Sequence, residues 1–457
     1  MLIRHDHALA RSITDIFSPR AGLAWDIRGN GDWLLKAGAG IFHNWPTLAN
    51  LQEEYRGNPP GDIFPTFYQG QNPAPIFGFG TSNQKPFNFP APTLPARQLN
   101  AAGGITGLQF TIGAVDPTLT SPVTYTYSLG IAHKMGMHYV ASVDFSGANG
   151  RKLLSGGGQV YNVSYGQDIN VQAGDLIQHT SLVPTRLNPN FGSVYYTKND
   201  RVSNYDALIL ALQGRFSRSF FNASYTRSSS WDDTQVYPSY INVHQWYGPS
   251  IWNAPNRFSI AWNYQLPDVN GDRGALGRVA SGWIVSGTGI MQSGNPINVF
   301  TSAPFEPVVD PNTGKYVGYQ PGSGDYNADG DNNDYPDVTS YSQGSGRHAF
   351  LTSGIFTQGQ FPQPTFGQEG NEKYNRFVGP NFKEFDAALL KNTKLFGRLN
   401  FQFRFEVFNV LNRPNLVNVD TDLADSVFKN GQQLGTFGKA TGQDPPRFIQ
   451  IGGNFTF

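Results

Sequence analysis

The sequence predicts an all-β fold, an antiparallel transmembrane β-barrel with long extracellular loops. Three observations lead to this prediction. Apolar and polar residues alternate in about eleven segments, as in strands with lipid on one face and water on the other. Aromatic residues make up 14% of the 457 residues and charged residues only 14%, against a usual charged share of about 25%. Short and long connections alternate between these segments.

The alternation defines six strands in the first half of the chain, at 21–27, 33–41, 123–132, 139–146, 208–216 and 221–226. It is clearest in the third strand, whereas Ile209 interrupts it in the fifth. The apolar side is marked, in strand order, by Leu23 and Trp25, Leu35 and Ile41, Tyr125 and Leu129, Val143 and Phe145, Leu208 and Leu210, and Phe221 and Tyr225.

Five further strands are predicted at 258–266, 283–292, 385–392, 399–407 and 448–457. The alternation is weak in 283–292 and weaker in 385–392. It is unambiguous in 399–407, where Phe401, Phe403 and Phe405 alternate with Gln402 and Arg404. A strand of about ten residues, tilted by about 45°, spans about 23 Å, close to the apolar band of such barrels. A soluble β-sandwich or propeller also alternates, but its outward positions would be polar rather than aromatic.

The connections between these strands alternate in length. Short links at 28–32, 135–137, 217–219 and 395–398, with a medium link at 267–280, alternate with long ones at 43–122, 150–203, 230–256, 301–382 and 413–447. Outer-membrane barrels have short periplasmic turns and long extracellular loops. The last strand is therefore predicted to run towards the periplasm.

The predicted strand number is odd, whereas single-chain bacterial barrels have an even number of strands. An odd number places the two ends of the chain on opposite sides of the membrane. The N-terminus also lacks an export signal. We therefore expect residues 1–17 to be the tail of a truncated extracellular loop. Residues 18–457 are expected to form about eleven strands, the C-terminal half of a barrel of about twenty-two, which is partial and open by itself.

The last eight residues, 450–457, resemble the insertion signal of a bacterial outer-membrane β-barrel, which the barrel-assembly machinery recognises. The resemblance rests on an alternating strand that stops on a terminal aromatic residue. Its signal positions are Gln450, Gly452, Phe455 and Phe457.

Three segments resemble the barrel half of TonB-dependent outer-membrane receptors. They are 17–26, 375–386 and 404–415, and the closest subgroup is the Oar-like receptors, which often carry a carboxypeptidase-regulatory-like domain. The resemblance covers essentially the whole chain. It implies uptake of a scarce ligand, such as a siderophore or an oligosaccharide, with energy from the inner-membrane TonB complex. The expected partners are outer-membrane lipid, the barrel-assembly machinery, TonB through a plug domain, and a small ligand.

The sequence departs from that family in one respect, because no segment resembles the plug domain or the short box that contacts TonB. The isolated chain is therefore not expected to transport. The alternative is a structural or adhesive barrel whose loops bind partners without transport. An autonomous small porin is disfavoured because an open sheet would leave unpaired edges in lipid.

One loop contains a possible calcium site. Its oxygen donors are Asp325, Asn327, Asp329, Asp331 and Asp334, and Gly330 stands where a calcium loop needs a sharp turn. Position 12 of the motif is Pro336 instead of glutamate, so the site would be looser than an EF-hand. The competing interpretation is a solvated turn rich in Asp, Asn and Gly. No other cofactor is expected.

Aromatic residues in two long loops could stack on a planar ligand or a sugar. Packing of loop against loop is the competing interpretation and the favoured one. The candidate ligand-binding residues are Trp45, Tyr55, Phe67, Tyr68, Tyr240 and Trp246.

Several other functions lack support in the sequence. The formal net charge is zero, which disfavours a nucleic-acid partner. There is no cysteine and no recognisable catalytic motif, so we expect no enzymatic activity. The charged residues on the predicted lumenal side are expected to pair with one another or with a plug; they are Arg20, Asp26, Lys36, Asp144, Arg215, Arg404 and Glu406.

Overall fold

One antiparallel sheet of eleven consecutive strands dominates the computed structural model. The structure describes residues 16–44, 112–116, 118–154, 167–168, 187–188, 191, 194–234, 246–269, 274–301, 307–309, 312, 316–319, 326, 335–365, 368, 370–396 and 398–457. The strands are β1 (Arg20–Asp26), β2 (Trp33–His43), β3 (Val123–Met135), β4 (Tyr139–Leu153), β5 (Arg201–Arg215), β6 (Phe220–Asp232), β7 (Asn256–Gln265), β8 (Trp283–Gln292), β9 (Phe382–Phe396), β10 (Leu399–Phe408) and β11 (Phe448–Thr456).

Every strand expected from the sequence is present, and each pairs with its neighbours in chain order. Within the described residues, β1 and β11 each have one neighbour, so the sheet is open. Several strands extend beyond the predicted bounds at their long-loop ends. In β4, for example, pairing continues to Leu153, with Val123 opposite Arg151. Polar and small residues predominate in these extensions, so the apolar alternation could not reveal them.

The pairing register places most of the apolar residues of the eleven strands on one face. In β5 this face belongs to the even-numbered residues, so Ile209 lies on the polar face opposite Asp144 and Thr226. One apolar row crosses β1 to β8 through Trp25, Leu35, Ile131, Val143, Leu210, Tyr225, Phe258 and Met291. We call this the outer face and the opposite one the inner face.

The weak alternation of β8 has a packing explanation. Gly287 and Gly289 stand at outer-face positions where the pattern requires apolar side chains. A Cβ atom at Gly287 would collide with the indole of Trp262, and one at Gly289 with the ring of Phe385. The neighbouring strands thus provide the apolar groups that β8 lacks. An aromatic ring commonly covers a glycine in this way.

The short links form tight turns at one end of the sheet. Between β1 and β2, the Asp26 carboxylate accepts hydrogen bonds from the backbone N–H groups of Gly29 and Gly31, at 3.0 and 2.7 Å. Both glycines have positive φ, a conformation that costs glycine little. The link between β7 and β8 contains helix α1 (Gly274–Ala280). None of the helices in the described ranges is long and apolar enough to cross a membrane.

The long connections at the other end contain secondary structure that the sequence did not predict. The helical segments there are α2 (Gly346–His348), a π-helical turn (Ala349–Ser353) and a 3-10 turn (Leu423–Asp425). The short strands are Ile112–Val115, Gln167–Asp168, Val194–Thr197, Gly248–Pro249, Pro296–Ile297, Pro307–Val309, Tyr316–Tyr319, Phe377–Val378, Leu416–Val419, Phe428–Lys429, Gln432–Gln433 and Ala440–Gln443.

Candidate functional site

The connections that follow β8 and β10 fold together around a shared apolar core, which we call the loop body. Its fully buried residues include Val299, Phe377 and Phe437. The rings of Phe356 and Phe437 lie 4.9 Å apart between centroids, and those of Phe356 and Phe377 lie 5.0 Å apart. Backbone hydrogen bonds also join the two connections, as between the Phe300 N–H and the Thr421 carbonyl at 3.1 Å.

The connection after β6 joins this body through Trp246. This residue is only 3% exposed and packs against Tyr374, and its ring centroid lies 4.5 Å from that of Tyr335. The Asn375 side-chain amide donates to the Pro249 carbonyl at 2.6 Å and fixes the same junction. Trp246 therefore packs loop against loop, and its use in ligand binding stays a prediction. Trp252, further along that connection, is 65% exposed.

A buried carboxylate lies inside the loop body. One oxygen of Glu372 accepts the Val299 N–H at 3.1 Å, which attaches the segment before β9 to the segment after β8. The other oxygen, Oε2, is buried and has no hydrogen-bond partner in the described part of the chain. Burial raises the pKa of the Glu372 carboxyl to about 8, because water no longer stabilises its charged form.

The inner face carries the ion pair that the sequence led us to expect between lumenal charges. Lys36 Nζ lies 3.0 Å from Asp144 Oδ1, although the two residues belong to strands separated by β3. Gly130 stands between them in register, and a Cβ atom there would collide with the Asp144 carboxylate. The absence of a side chain at Gly130 thus permits the ion pair to cross β3.

A pocket of about 460 Å³ lies near the long-loop end of β1 to β5. Its inner-face floor consists of small residues, including Gly38, Ser128 and Ser146. Arg20 and Tyr205 bound it, and the Arg20 guanidinium lies 4.3 Å from the centroid of the Phe42 ring. A cation, aromatic faces and hydroxyl groups therefore converge on one concavity. Such a set can orient a polar ligand that also carries a flat or ring-shaped part.

Three of the four insertion-signal residues lie on β11, which pairs with β10. Phe455 stands opposite Phe401 on the outer face, with their ring centroids 4.8 Å apart. Gln450 and Gly452 lie on the inner face, whereas Phe457 follows the end of the strand and is 91% exposed. The expected alternation is present, and recognition by the barrel-assembly machinery stays a prediction.

Most of the other candidate residues lie outside the described residues. These are the aromatic candidates Trp45, Tyr55, Phe67, Tyr68 and Tyr240, and the calcium candidates Asp325, Asn327, Asp329, Asp331 and Asp334. The loop body and Glu372 were not found from the sequence. The close spacing of Phe350, Phe356 and Phe361 in a long connection is the signal that could have indicated a core there.

The match to a protein family identifies the class of this chain. Residues 4–450 match the family described as "Outer membrane beta barrel domain". The chain belongs to this family. Its localisation is therefore the outer membrane, and the outer face of the sheet is the face that meets lipid.

The chain is also similar to several solved structures. The chain is similar to the outer membrane transporter YddB from Escherichia coli (10% identity, TM-score 0.45, covering 96% of this chain and 40% of that one). It is also similar to a variant of the ferric enterobactin receptor PfeA from Pseudomonas aeruginosa (12%, 0.41, 96% and 40%). A third is the FrpB iron transporter from Neisseria meningitidis (9%, 0.39, 95% and 38%). No curated protein matches the chain.

The chain thus spans about 40% of the length of these transporters and receptors. Its inner-face pocket and its loop body both belong to the end of the sheet where the long connections lie.

Proposed function

We propose that this chain is the C-terminal part of a TonB-dependent outer-membrane receptor of the Oar-like subgroup, which takes up a scarce ligand such as a siderophore or an oligosaccharide. The observation that supports this proposal is the inner-face pocket bounded by Arg20 and Tyr205 at the long-loop end of the sheet. The ligand would meet this pocket on its way into the lumen. A plug domain would connect the receptor to TonB, and no enzymatic step is involved.

Uptake by the intact receptor in its own bacterium tests the proposal. A panel of labelled ferric siderophores and oligosaccharides is offered to three strains, namely wild type, a deletion of this gene, and a deletion of TonB. We expect the uptake of one ligand to disappear in both deletion strains. Uptake that needs the gene but continues without TonB would contradict an energised receptor.

The pocket itself can be tested with one variant and one control on the same strand. Tyr205→Ala removes the aromatic boundary of the pocket, whereas Gln213→Ala changes an inner-face residue of β5 nearer the periplasmic turn. Tyr205→Ala should raise the KM for uptake by about tenfold, the upper range for one lost ring contact. Gln213→Ala should leave it unchanged. Equal KM values for the two variants would argue against a ligand path along this wall.

A structural or adhesive barrel is the second candidate, and the surface of the loop body favours it. Leu351, Val427 and Leu434 are 42%, 52% and 56% exposed there. Where exposed apolar side chains form a contiguous patch on a folded surface, that patch is typical of protein contacts. Under this alternative, deletion of the gene would change cell adhesion or envelope integrity and leave the uptake of every ligand in the panel unaffected.

We also keep calcium binding by Asp325, Asn327, Asp329, Asp331 and Asp334 as a proposal. The sequence motif supports it, with donors at alternate positions followed by a glycine. Millimolar calcium should raise the melting temperature of the wild-type protein but not that of Asp329→Ala. Equal shifts in both proteins would eliminate the site.

A further inference from the structure

We propose that the long-loop end of the outer face binds the phosphate groups of outer-leaflet lipid. The site, called the rim patch, consists of Tyr225, Arg227, Asn256, Phe258, Met291 and Lys383. It lies on the side of the sheet opposite the inner-face pocket. The proposal therefore needs only the outer-membrane location and no uptake function.

The pairing register brings these residues together. Arg227 stands directly opposite Asn256, and one row crosses the four strands β6 to β9 through Tyr225, Phe258, Met291 and Lys383. All four strands meet long connections at this end. The patch therefore lies where the apolar band gives way to the headgroups of the outer leaflet.

Neutral groups hold the guanidinium of Arg227 in place. Asn256 Oδ1 accepts hydrogen bonds from Arg227 Nη1 at 3.1 Å and from the Tyr225 hydroxyl at 2.7 Å. The Asn256 amide in turn donates to Ser293 Oγ at 3.1 Å. Because the partner is an amide rather than a carboxylate, it adds no negative charge beside the guanidinium of Arg227. Arg227 also keeps further N–H donors, and its side chain is exposed.

Lys383 has no hydrogen-bond or ion-pair partner for its ammonium in the part of the chain that the structure describes. Lys391, on the same face of the same strand but near the periplasmic turns, differs in this respect. Its ammonium donates to the backbone carbonyls of Arg278 (2.7 Å) and Ser281. The ammonium of Lys391, at one end of β9, therefore has hydrogen-bond acceptors within the protein. The ammonium of Lys383, at the other end, remains available to a ligand.

The carboxylates near the patch form no ion pairs with its two cations in the described part of the chain. Asp206, on the outer face of the adjacent strand β5, stands opposite Ser229, accepts the Tyr127 hydroxyl at 2.6 Å and forms no ion pair with Arg227. Glu384 follows Lys383 directly in the sequence and therefore points to the inner face. No ion pair involving Arg227 or Lys383 occurs among the described residues, so the patch retains a positive charge towards the membrane.

The chemistry of the patch indicates an amphipathic anion rather than a soluble one. Phe258 and Met291 lie in the same row as Tyr225 and Lys383, and they offer apolar surface to acyl chains. Arg227 lies one row nearer the long connections and offers its guanidinium to a phosphate. Free phosphate would use the cations and leave the apolar row uncovered. A phosphorylated lipid of the outer leaflet uses both.

Binding of a phosphorylated glycolipid to the detergent-solubilised protein tests this site. Lipid A and its dephosphorylated form serve as probes, and native mass spectrometry measures the bound fraction. Two cations near an anionic surface each strengthen binding, so Arg227→Gln with Lys383→Gln should weaken the binding of lipid A by about thirtyfold. The binding of the dephosphorylated form should stay unchanged.

Arg257→Gln is the matched control, because Arg257 neighbours Asn256 but faces inwards, where its Nη1 donates to Gln292 Oε1 at 2.8 Å. It should bind lipid A as the wild type does. If the double variant fails to fold, the Lys383→Gln variant tests the site alone. Its affinity for lipid A should fall by about fivefold. Unchanged binding of lipid A, an equal loss for both lipids, or an equal loss in Arg257→Gln would overturn the proposal.

Discussion

At the residue scale, Gly130 and Glu372 show how a single position controls its surroundings. Gly130 has no side chain, and Asp144 occupies the space that one would fill on its way to Lys36. Glu372 is almost completely buried and joins two segments of the loop body through the Val299 N–H. Neither role follows from the type of residue alone, because each depends on which strand or loop lies next to it.

Gly130→Val should destabilise the barrel, because its side chain displaces the Asp144 carboxylate from Lys36. The ion pair is half exposed and is worth less than about 1 kcal/mol, whereas the overpacking adds about 1–3 kcal/mol. The matched control is Gly22→Val, on the inner face of β1, where a Cβ atom would meet only the Ala37 carbonyl oxygen, at 3.9 Å. Urea unfolding of the folded protein in lipid vesicles measures both. Equal destabilisation would contradict a specific role for Gly130.

Glu372 should make the stability of the loop body depend on pH. Its folded pKa of about 8 lies above the ordinary value of 4.5, so the folded state holds its proton more tightly than the unfolded state. Below pH 4.5 Glu372 is protonated in both the folded and the unfolded state, so no stability is lost. Stability then falls as the pH rises from about 4.5 to about 8, by on the order of 5 kcal/mol, and stays low above that.

Glu372→Gln should remove this pH dependence, because an amide oxygen can still accept the Val299 N–H and carries no charge. The other ionisable groups facing this region are Tyr335, Tyr341 and Arg376. Burial raises the pKa of both tyrosines, so they stay neutral over this range. Limited proteolysis of the loop body from pH 5 to pH 8.5 measures the effect. If the proteolysis rate of Glu372→Gln still changes with pH, another ionisable group causes the pH dependence.

At the element scale, the strands followed from the sequence and the loop body did not. A membrane strand is specified locally by alternation, so β3 and β10 could be recognised without knowing their neighbours. The alternation in β8 is weaker, so this strand could be located, but the cause of the weakness could not be seen. Trp262 and Phe385 of the adjacent strands fill the spaces beside its glycines. The core of the loop body joins residues as distant as Val299 and Phe437, and no local period marks such contacts.

The inner-face site was also only partly predictable. The alternation along the strands assigned Lys36 and Asp144 to the lumenal face. Pairing between lumenal charges was one of the two alternatives expected there, and pairing with a plug was the other. The pocket bounded by Arg20 and Tyr205 needs five strands in register, and sequence alternation does not give the register. The calcium and aromatic candidates stay predictions, because they lie almost entirely outside the described residues.

Phe437→Ala should destabilise the loop body and leave the sheet intact. Phe437 is 1% exposed and packs against Phe356 and Phe361, so its truncation leaves a cavity that costs about 3–5 kcal/mol. Phe300→Ala is the control, since Phe300 lies on the same body and is 45% exposed. Proteolysis should cut the connections of Phe437→Ala much faster than those of Phe300→Ala. Equal rates would contradict a shared core.

At the scale of the whole molecule, one outer face runs without interruption from β1 to β11. Its apolar row and the charged, hydroxylated inner face follow from the register of ten successive strand pairs. Because the chain belongs to the outer-membrane β-barrel family, this face contacts lipid. The rim patch and the inner-face pocket then occupy opposite sides of the same wall, so lipid binding and ligand binding can be changed independently.

The assignment of the outer face to lipid is the central claim, and the absence of cysteine allows a direct test. Single cysteines at Leu208, Ile209, Leu210, Ala211 and Leu212 of β5 can each carry a spin label in the protein folded in lipid vesicles. Collisions with oxygen, which concentrates in lipid, should be frequent at 208, 210 and 212. Collisions with a water-soluble nickel chelate should be frequent at 209 and 211. Equal accessibility along the strand, or the opposite alternation, would contradict the account.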